Sequence, residues 1–155
     1  MKSWKIAIEE AALDRSCKGS KEAGGHWNSI GTGALYTGAT VELCALEKWV
    51  HIDEEDPDAK LVLVSVEMPD GPGLCRTFTA GELPHGWDDV PVSVHAQKFG
   101  TQFLKACEYL YMCVPSVLVN EACNYVINPE HPAYQDVKLE IVRSFSFDPR
   151  MFKRG

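Results

Sequence analysis

The 155 residues predict a single α+β domain in which mainly antiparallel sheets are flanked by helices. Three observations carry this. Short segments with the two-residue alternation of strands recur along the chain, two longer stretches hold apolar residues at helical spacing, and the strand-like segments group together instead of alternating strictly with helices.

Trp4-Lys5-Ile6-Ala7-Ile8 reads as an opening strand, and residues 9–33 follow as a polar, glycine-rich loop. A loop of that length inside a compact domain is more often functional or mobile than idle, so this segment is expected to move. Ala34-Leu35-Tyr36-Thr37 is a short strand. Thr40 is placed to cap a helix that carries Val41, Cys44, Ala45, Leu46, Trp49 and Val50 on its apolar face. Lys60 to Met68 sets Val62, Val64, Val66 and Met68 on one side and Ser65 and Glu67 on the other, as in a half-buried strand, and Pro69–Gly73 is a turn. Val94 to Met112 predicts a second amphipathic helix with Phe99, Phe103, Ala106, Leu110 and Cys113 in step, although Gly100 argues against it locally. Strands are expected at Ser116–Val119, Cys123–Ile127 and Val137–Val142, the last two bracketing a turn at Asn128-Pro129-Glu130-His131-Pro132.

Composition narrows the function. Hydrophobic residues make up 45%, charged residues 24%, and no window approaches the roughly 20 apolar residues of a membrane span. The opening residues contain no apolar signal core, so a soluble, cytoplasmic protein is expected. A net charge of −7 argues against direct nucleic-acid binding, which needs clustered Lys and Arg. The acidic run Asp53-Glu54-Glu55-Asp56 suits a basic partner or a solvated loop equally. The six cysteines form no CxxC pair and sit mostly in apolar runs, so free buried thiols are expected, and the five histidines lack ligand-like spacing, so no metal is expected.

No P-loop, GxGxxG, GxSxG or HExxH is present. What stands out is Gly24-Gly25-His26-Trp27-Asn28 leading through Gly31-Thr32-Gly33 into the strand that ends at Tyr36-Thr37, with Glu47 on the next helix. Further along come Trp49-Val50-His51, Val114-Pro115-Ser116, Asn124-Tyr125-Val126-Ile127-Asn128-Pro129-Glu130-His131-Pro132 and Phe147-Asp148-Pro149-Arg150-Met151-Phe152. In order and spacing these resemble the RES domain across almost the whole chain. The resemblance implies an ADP-ribosyltransferase-like fold, a toxin of a bacterial toxin–antitoxin pair, and NAD as the molecule consumed, by hydrolysis, phosphorolysis or ADP-ribosyl transfer. It also implies an Xre-type DNA-binding antitoxin that covers the active site, and it allows a homodimer within that complex.

Of the arginine, glutamate and serine that give the family its name, the corresponding positions here are His26, Glu47 and Ser116. Breaking the nicotinamide–ribose bond passes through an oxocarbenium-like transition state, which a carboxylate stabilises, so the resemblance casts Glu47 in that role. Pattern alone favours an exposed helix on which Glu47 pairs with Lys48 or another cation. Tyr36 is expected either to stack on nicotinamide and bind a polar edge or to be a core tyrosine, and Ser116 either to donate to substrate or to cap its own backbone. Asn128 suits a ribose or phosphate oxygen, or simply an Asn-Pro turn. Pyrophosphate is usually gripped by arginine, whose fork spans two oxygens. Here Lys5 and His26 stand at the two positions where relatives carry arginine, so cofactor-type contacts from them are expected to be weaker. The alternative is a degenerate RES domain that binds antitoxin or nucleotide with little turnover because of His26.

Overall fold

The computed structural model describes residues 1–153. Its strands are β1 (Lys2–Ile8), β2 (Leu35–Gly38), β3 (Leu61–Glu67), β4 (Cys75–Thr77), β5 (Tyr111–Pro115), β6 (Cys123–Ile127) and β7 (Lys138–Phe145), and its helices are α1 (Lys18–Ala23), α2 (Val41–Trp49) and α3 (Val94–Ala106). The strands join into one sheet in the order β4-β5-β6-β2-β1-β3-β7, with β4–β5 the parallel pair and all other neighbours antiparallel. The α+β, mainly antiparallel class read from the sequence is the one observed. No helix of the described residues is long and apolar enough to cross a membrane.

The sheet is uneven along its width. β1 pairs with β3 over seven positions, from Lys2↔Glu67 to Ile8↔Leu61, but meets β2 through the single register pair Trp4↔Gly38. The two halves therefore splay apart beyond that point, and α2 packs beside the seam. Gly38 makes this approach possible, because a Cβ there would lie 2.8 Å from Cys44 Sγ and 3.5 Å from Leu43 Cδ2. Thr40 caps α2 as expected, its hydroxyl accepting from the Leu43 amide at 3.2 Å.

Several boundaries differ from the sequence expectation. The second long helix stops at Ala106 and not Met112. Cys107 takes a left-handed conformation at φ 54°, and Tyr111 to Pro115 is drawn into the sheet between β4 and β6. Its apolar run Leu110-Tyr111-Met112 is buried, and such a run fits a covered strand as well as a helix face. The strand expected at Ser116–Val119 lies five residues earlier, as β5. Ser116 instead turns the chain, its hydroxyl accepting from the Leu118 and Val119 amides. β3 is covered on both faces, since Leu63 and Ser65 are buried along with Val62, Val64 and Val66, as befits a strand between β1 and β7. β4 is a three-residue edge strand with no periodicity of its own in the sequence.

Residues 9–33 are not the open loop expected. They hold α1, and Trp27 and Asn28 are buried. Asn28 Nδ2 donates to the carbonyls of Ser20 (2.8 Å) and Thr32 (2.7 Å), folding the glycine-rich stretch onto itself. Gly100 explains itself here too. A Cβ at this point of α3 would fall 2.0 Å from the Trp27 carbonyl oxygen, so glycine lets the helix dock on that backbone. The expectation of six free thiols is corrected as well: Cys113 and Cys123 are disulfide-bonded across β5 and β6, leaving Cys17, Cys44, Cys75 and Cys107 free. Sequence spacing does not show that antiparallel pairing brings these two together.

Candidate functional site

A cavity of about 370 Å³ opens at the seam between β1 and β2. β1 lines it with Trp4, Lys5 and Ile6, β2 with Tyr36, Thr37 and Gly38, and α2 with Cys44, Glu47 and Lys48; His51, Glu54 and Glu55 follow α2, and Asn124 comes from β6. β1, the adjoining β2 and α2, and the distant β6 thus meet where the ladder is thinnest.

Glu47 is the best-anchored acid in the cavity. Its Oε1 accepts from Ser116 Oγ at 2.9 Å and from Asn124 Nδ2 at 2.7 Å. Among the described residues no protein donor reaches its other oxygen. Ser116 is fully buried and held in turn by the amides of Leu118 (3.1 Å) and Val119 (3.3 Å), so the turn after β5 fixes the hydroxyl that fixes the carboxylate. The exposed ion pair that pattern alone suggested does not form: Lys48 pairs with Glu55 instead. Asn124 occupies this place because Gly38 lies opposite it in the β2–β6 register and presents no side chain on that face.

Tyr36 is among the lining residues, but its side chain packs against the cluster around Trp27 and Trp87 and its hydroxyl is already committed. It donates to Asn28 Oδ1 at 2.5 Å and accepts from the Trp27 amide at 2.9 Å, tying the glycine-rich segment to β2. Burial pushes the phenol well above its usual range, against the opposing effect of these bonds, so the group stays neutral. Gly25 is needed beside it, since a Cβ there would come within 2.7 Å of the Tyr36 hydroxyl. Thr37, next in β2, is buried, and its Oγ1 has no hydrogen-bond partner among the described residues. An orphaned buried hydroxyl costs about 1–3 kcal/mol until something pairs with it.

Lys5 also lines the cavity, without an ion pair among the described residues. Burial lowers its pKa from the ordinary value of 10.5; Cys17 and Asp14 pull the other way, and Lys48 adds to the depression. Cys44 is an inert neighbour: burial pushes its thiol up to about 12, and its Sγ donates to the Trp4 carbonyl at 3.0 Å.

Two candidates lie elsewhere. His26 is not among the lining residues, and its Nε2 sits 2.6 Å from the Trp87 carbonyl while its ring meets Trp27 edge-on. Asn128 is buried behind the sheet's other contacts, with Nδ2 donating to the Leu104 carbonyl (2.9 Å) and Oδ1 accepting from the Glu130 amide (3.0 Å). Asn128 has both its polar atoms spent on the fold, and His26 has its Nε2 spent on it. The structure brings Lys5, Tyr36 and Glu47 to one cavity, puts Ser116 directly behind Glu47, and leaves His26 and Asn128 out. Sequence reasoning missed Asn124, Lys48, His51 and Glu54. Asn124 is detectable as a polar residue between apolar ones in β6, and His51 as the residue four positions after Glu47.

The sequence model of the RES domain matches residues 2–149. The Prs ADP-ribosylating toxin of Sphingobium sp. is 35% identical over 98% of this chain and 97% of its own length. Toxin Res of Pseudomonas putida is 32% identical over 96% of this chain and 98% of its own, and Toxin Res of Yersinia enterocolitica 31% over 86% and 87%. Among solved structures, a chain of the M. tuberculosis MbcT–MbcA toxin–antitoxin complex aligns with a TM-score of 0.69 at 16% identity, covering 97% of this chain and 85% of that one, which is a likeness of fold. With the family match spanning nearly all of its length, the chain belongs to the RES-domain family.

Proposed function

We propose that this protein is the toxin of a toxin–antitoxin pair and that it acts by consuming NAD, cleaving the bond between nicotinamide and ribose. The observation that carries the reading is Glu47: one carboxylate oxygen tethered by Ser116 and Asn124, the other without a donor among the described residues, at the wall of a cavity large enough for a ligand. The names of the relatives, an ADP-ribosylating toxin and two proteins called Toxin Res, support it.

As the bond to nicotinamide lengthens, positive charge grows on the ribose. A carboxylate already oriented for it stabilises that charge without reorganising, which is where an enzyme gains most. Ser116 acts by holding Glu47 and does not itself touch the substrate. Tyr36, at the cavity wall, is the aromatic residue on β2 for nicotinamide to stack against. Lys5 supplies the positive charge that a pyrophosphate requires; a bound phosphate would also reverse the effect of burial on its ammonium group. Water, phosphate or a protein side chain then accepts the ADP-ribose. An Xre-type antitoxin neutralises the toxin by covering the cavity, within an assembly that allows a homodimer.

Incubating the protein with NAD, with and without phosphate, and resolving the products by chromatography tests this. Nicotinamide with ADP-ribose marks hydrolysis, and nicotinamide with a phosphorylated ADP-ribose marks phosphorolysis; release no faster than from Glu47→Ala contradicts the reading. His26 favours a second reading, a degenerate domain, because its imidazole is held by the Trp87 carbonyl and contributes no cation to the cavity. His26→Arg separates the two: fast native turnover that this change leaves alone excludes degeneracy.

A further inference from the structure

Glu47 has one oxygen committed to two donors and the task of stabilising the ribose cation, so the proton of an incoming hydroxyl acceptor needs a different receiver. A second polar pair lines the same cavity. His51 lies four residues beyond Glu47, just past the end of α2, and its Nδ1 is 3.1 Å from Glu54 Oε2. The pair is not diverted elsewhere. The neighbouring cation Lys48 is taken by Glu55, and among the described residues His51 is the only side-chain partner of Glu54. Both side chains keep more than half of their surface open, at 60% and 74%, so an acceptor arriving from solvent or from a protein surface meets them first.

A carboxylate beside Nδ1 favours the tautomer that carries its hydrogen there and leaves Nε2 as a proton acceptor, the arrangement by which an oriented histidine activates a nucleophile. We infer that His51, oriented by Glu54, is the general base for the acceptor in the reaction proposed above, on which this inference rests. The C1′–N bond breaks with its electron pair passing to nicotinamide, which leaves neutral. A lone pair of the acceptor oxygen forms the C1′–O bond, and the acceptor's proton moves to His51 Nε2 and from there to solvent. The acceptor class this predicts is neutral hydroxyl compounds: water, alcohols and the hydroxyl side chains of proteins.

An acceptor that carries no proton bypasses the base, which makes the role testable on the full chain. NAD is offered in water, in methanol–water mixtures and with sodium azide, and ADP-ribose, methyl ADP-ribose and the azide adduct are quantified for wild type, His51→Ala, Glu54→Gln and Glu54→Asp. In His51→Ala, hydrolysis and methanolysis are expected to fall about 100-fold, added imidazole to restore part of the loss, and azide adduct formation to stay within about threefold of wild type. Glu54→Gln should show a smaller fall with the same preference for azide, and Glu54→Asp should recover. Equal losses for all three acceptors in His51→Ala, or no loss in any, overturn the inference while leaving NAD cleavage intact. Absence of nicotinamide release from wild type overturns the NAD reading and this inference with it.

Discussion

Glu47 is held by Asn124, which lines the cavity with it, and by Ser116, which does not. Ser116 donates to it from a fully buried position, and two backbone amides prevent that hydroxyl from turning away. Ser116→Ala is therefore expected to lower kcat about 10- to 100-fold with little change in KM, because the loss is one of orientation in the transition state, and steady-state nicotinamide release measures it. Lys5 carries the opposite kind of strain. Its folded pKa lies below the ordinary 10.5, so its ammonium form destabilises the free protein at neutral pH, and this penalty fades as pH rises from the depressed value toward 10.5. Lys5→Met should accordingly raise Tm at pH 7, by an amount that shrinks when thermal melts are repeated toward pH 10, while weakening NAD binding. A gain in Tm that grows with pH would refute the assignment.

At the scale of elements, close approach decides more than propensity does. Alanine is a better helix former than glycine by about 1 kcal/mol, yet Gly100→Ala should destabilise by at least about 2 kcal/mol because its Cβ would fall on the Trp27 carbonyl; urea denaturation supplies the sign. The disulfide between β5 and β6 is equally testable. Thiol titration of the unfolded, unreduced chain should find four free groups, and six after reduction. Local patterns made β1, β2, α2 with its Thr40 cap, β3, β6 and β7 legible, since each has its own periodicity or capping residue. The stretch from Leu110 to Val119 is misplaced from sequence because its buried run Leu110-Tyr111-Met112 fits a covered strand as well as a helix face. Of the candidate site, Tyr36, Glu47 and Ser116 stand out in the sequence through the order of family motifs. Asn124 and His51 do not, since their meaning depends on the pairing of β6 with β2 and on how the chain leaves α2.

The whole molecule is a sheet almost divided in two, joined through Trp4↔Gly38, with its cavity at the join. That design draws Lys5 from one half, Tyr36 and Asn124 from the other, and Glu47 from the helix that spans them. An antitoxin that neutralises by occlusion should compete with NAD for this seam, so the two are expected to exclude one another in titration calorimetry. In the proposed reaction, the carboxylate tethered at the seam breaks the nicotinamide–ribose bond. The most direct test is the single-turnover rate of nicotinamide release from NAD by wild type and by Glu47→Gln, which keeps the side chain's size and removes its charge. Release by wild type and a loss of about 1,000-fold or more in the variant are expected. Equal rates in the two proteins, or no release from wild type, would contradict the proposed reaction.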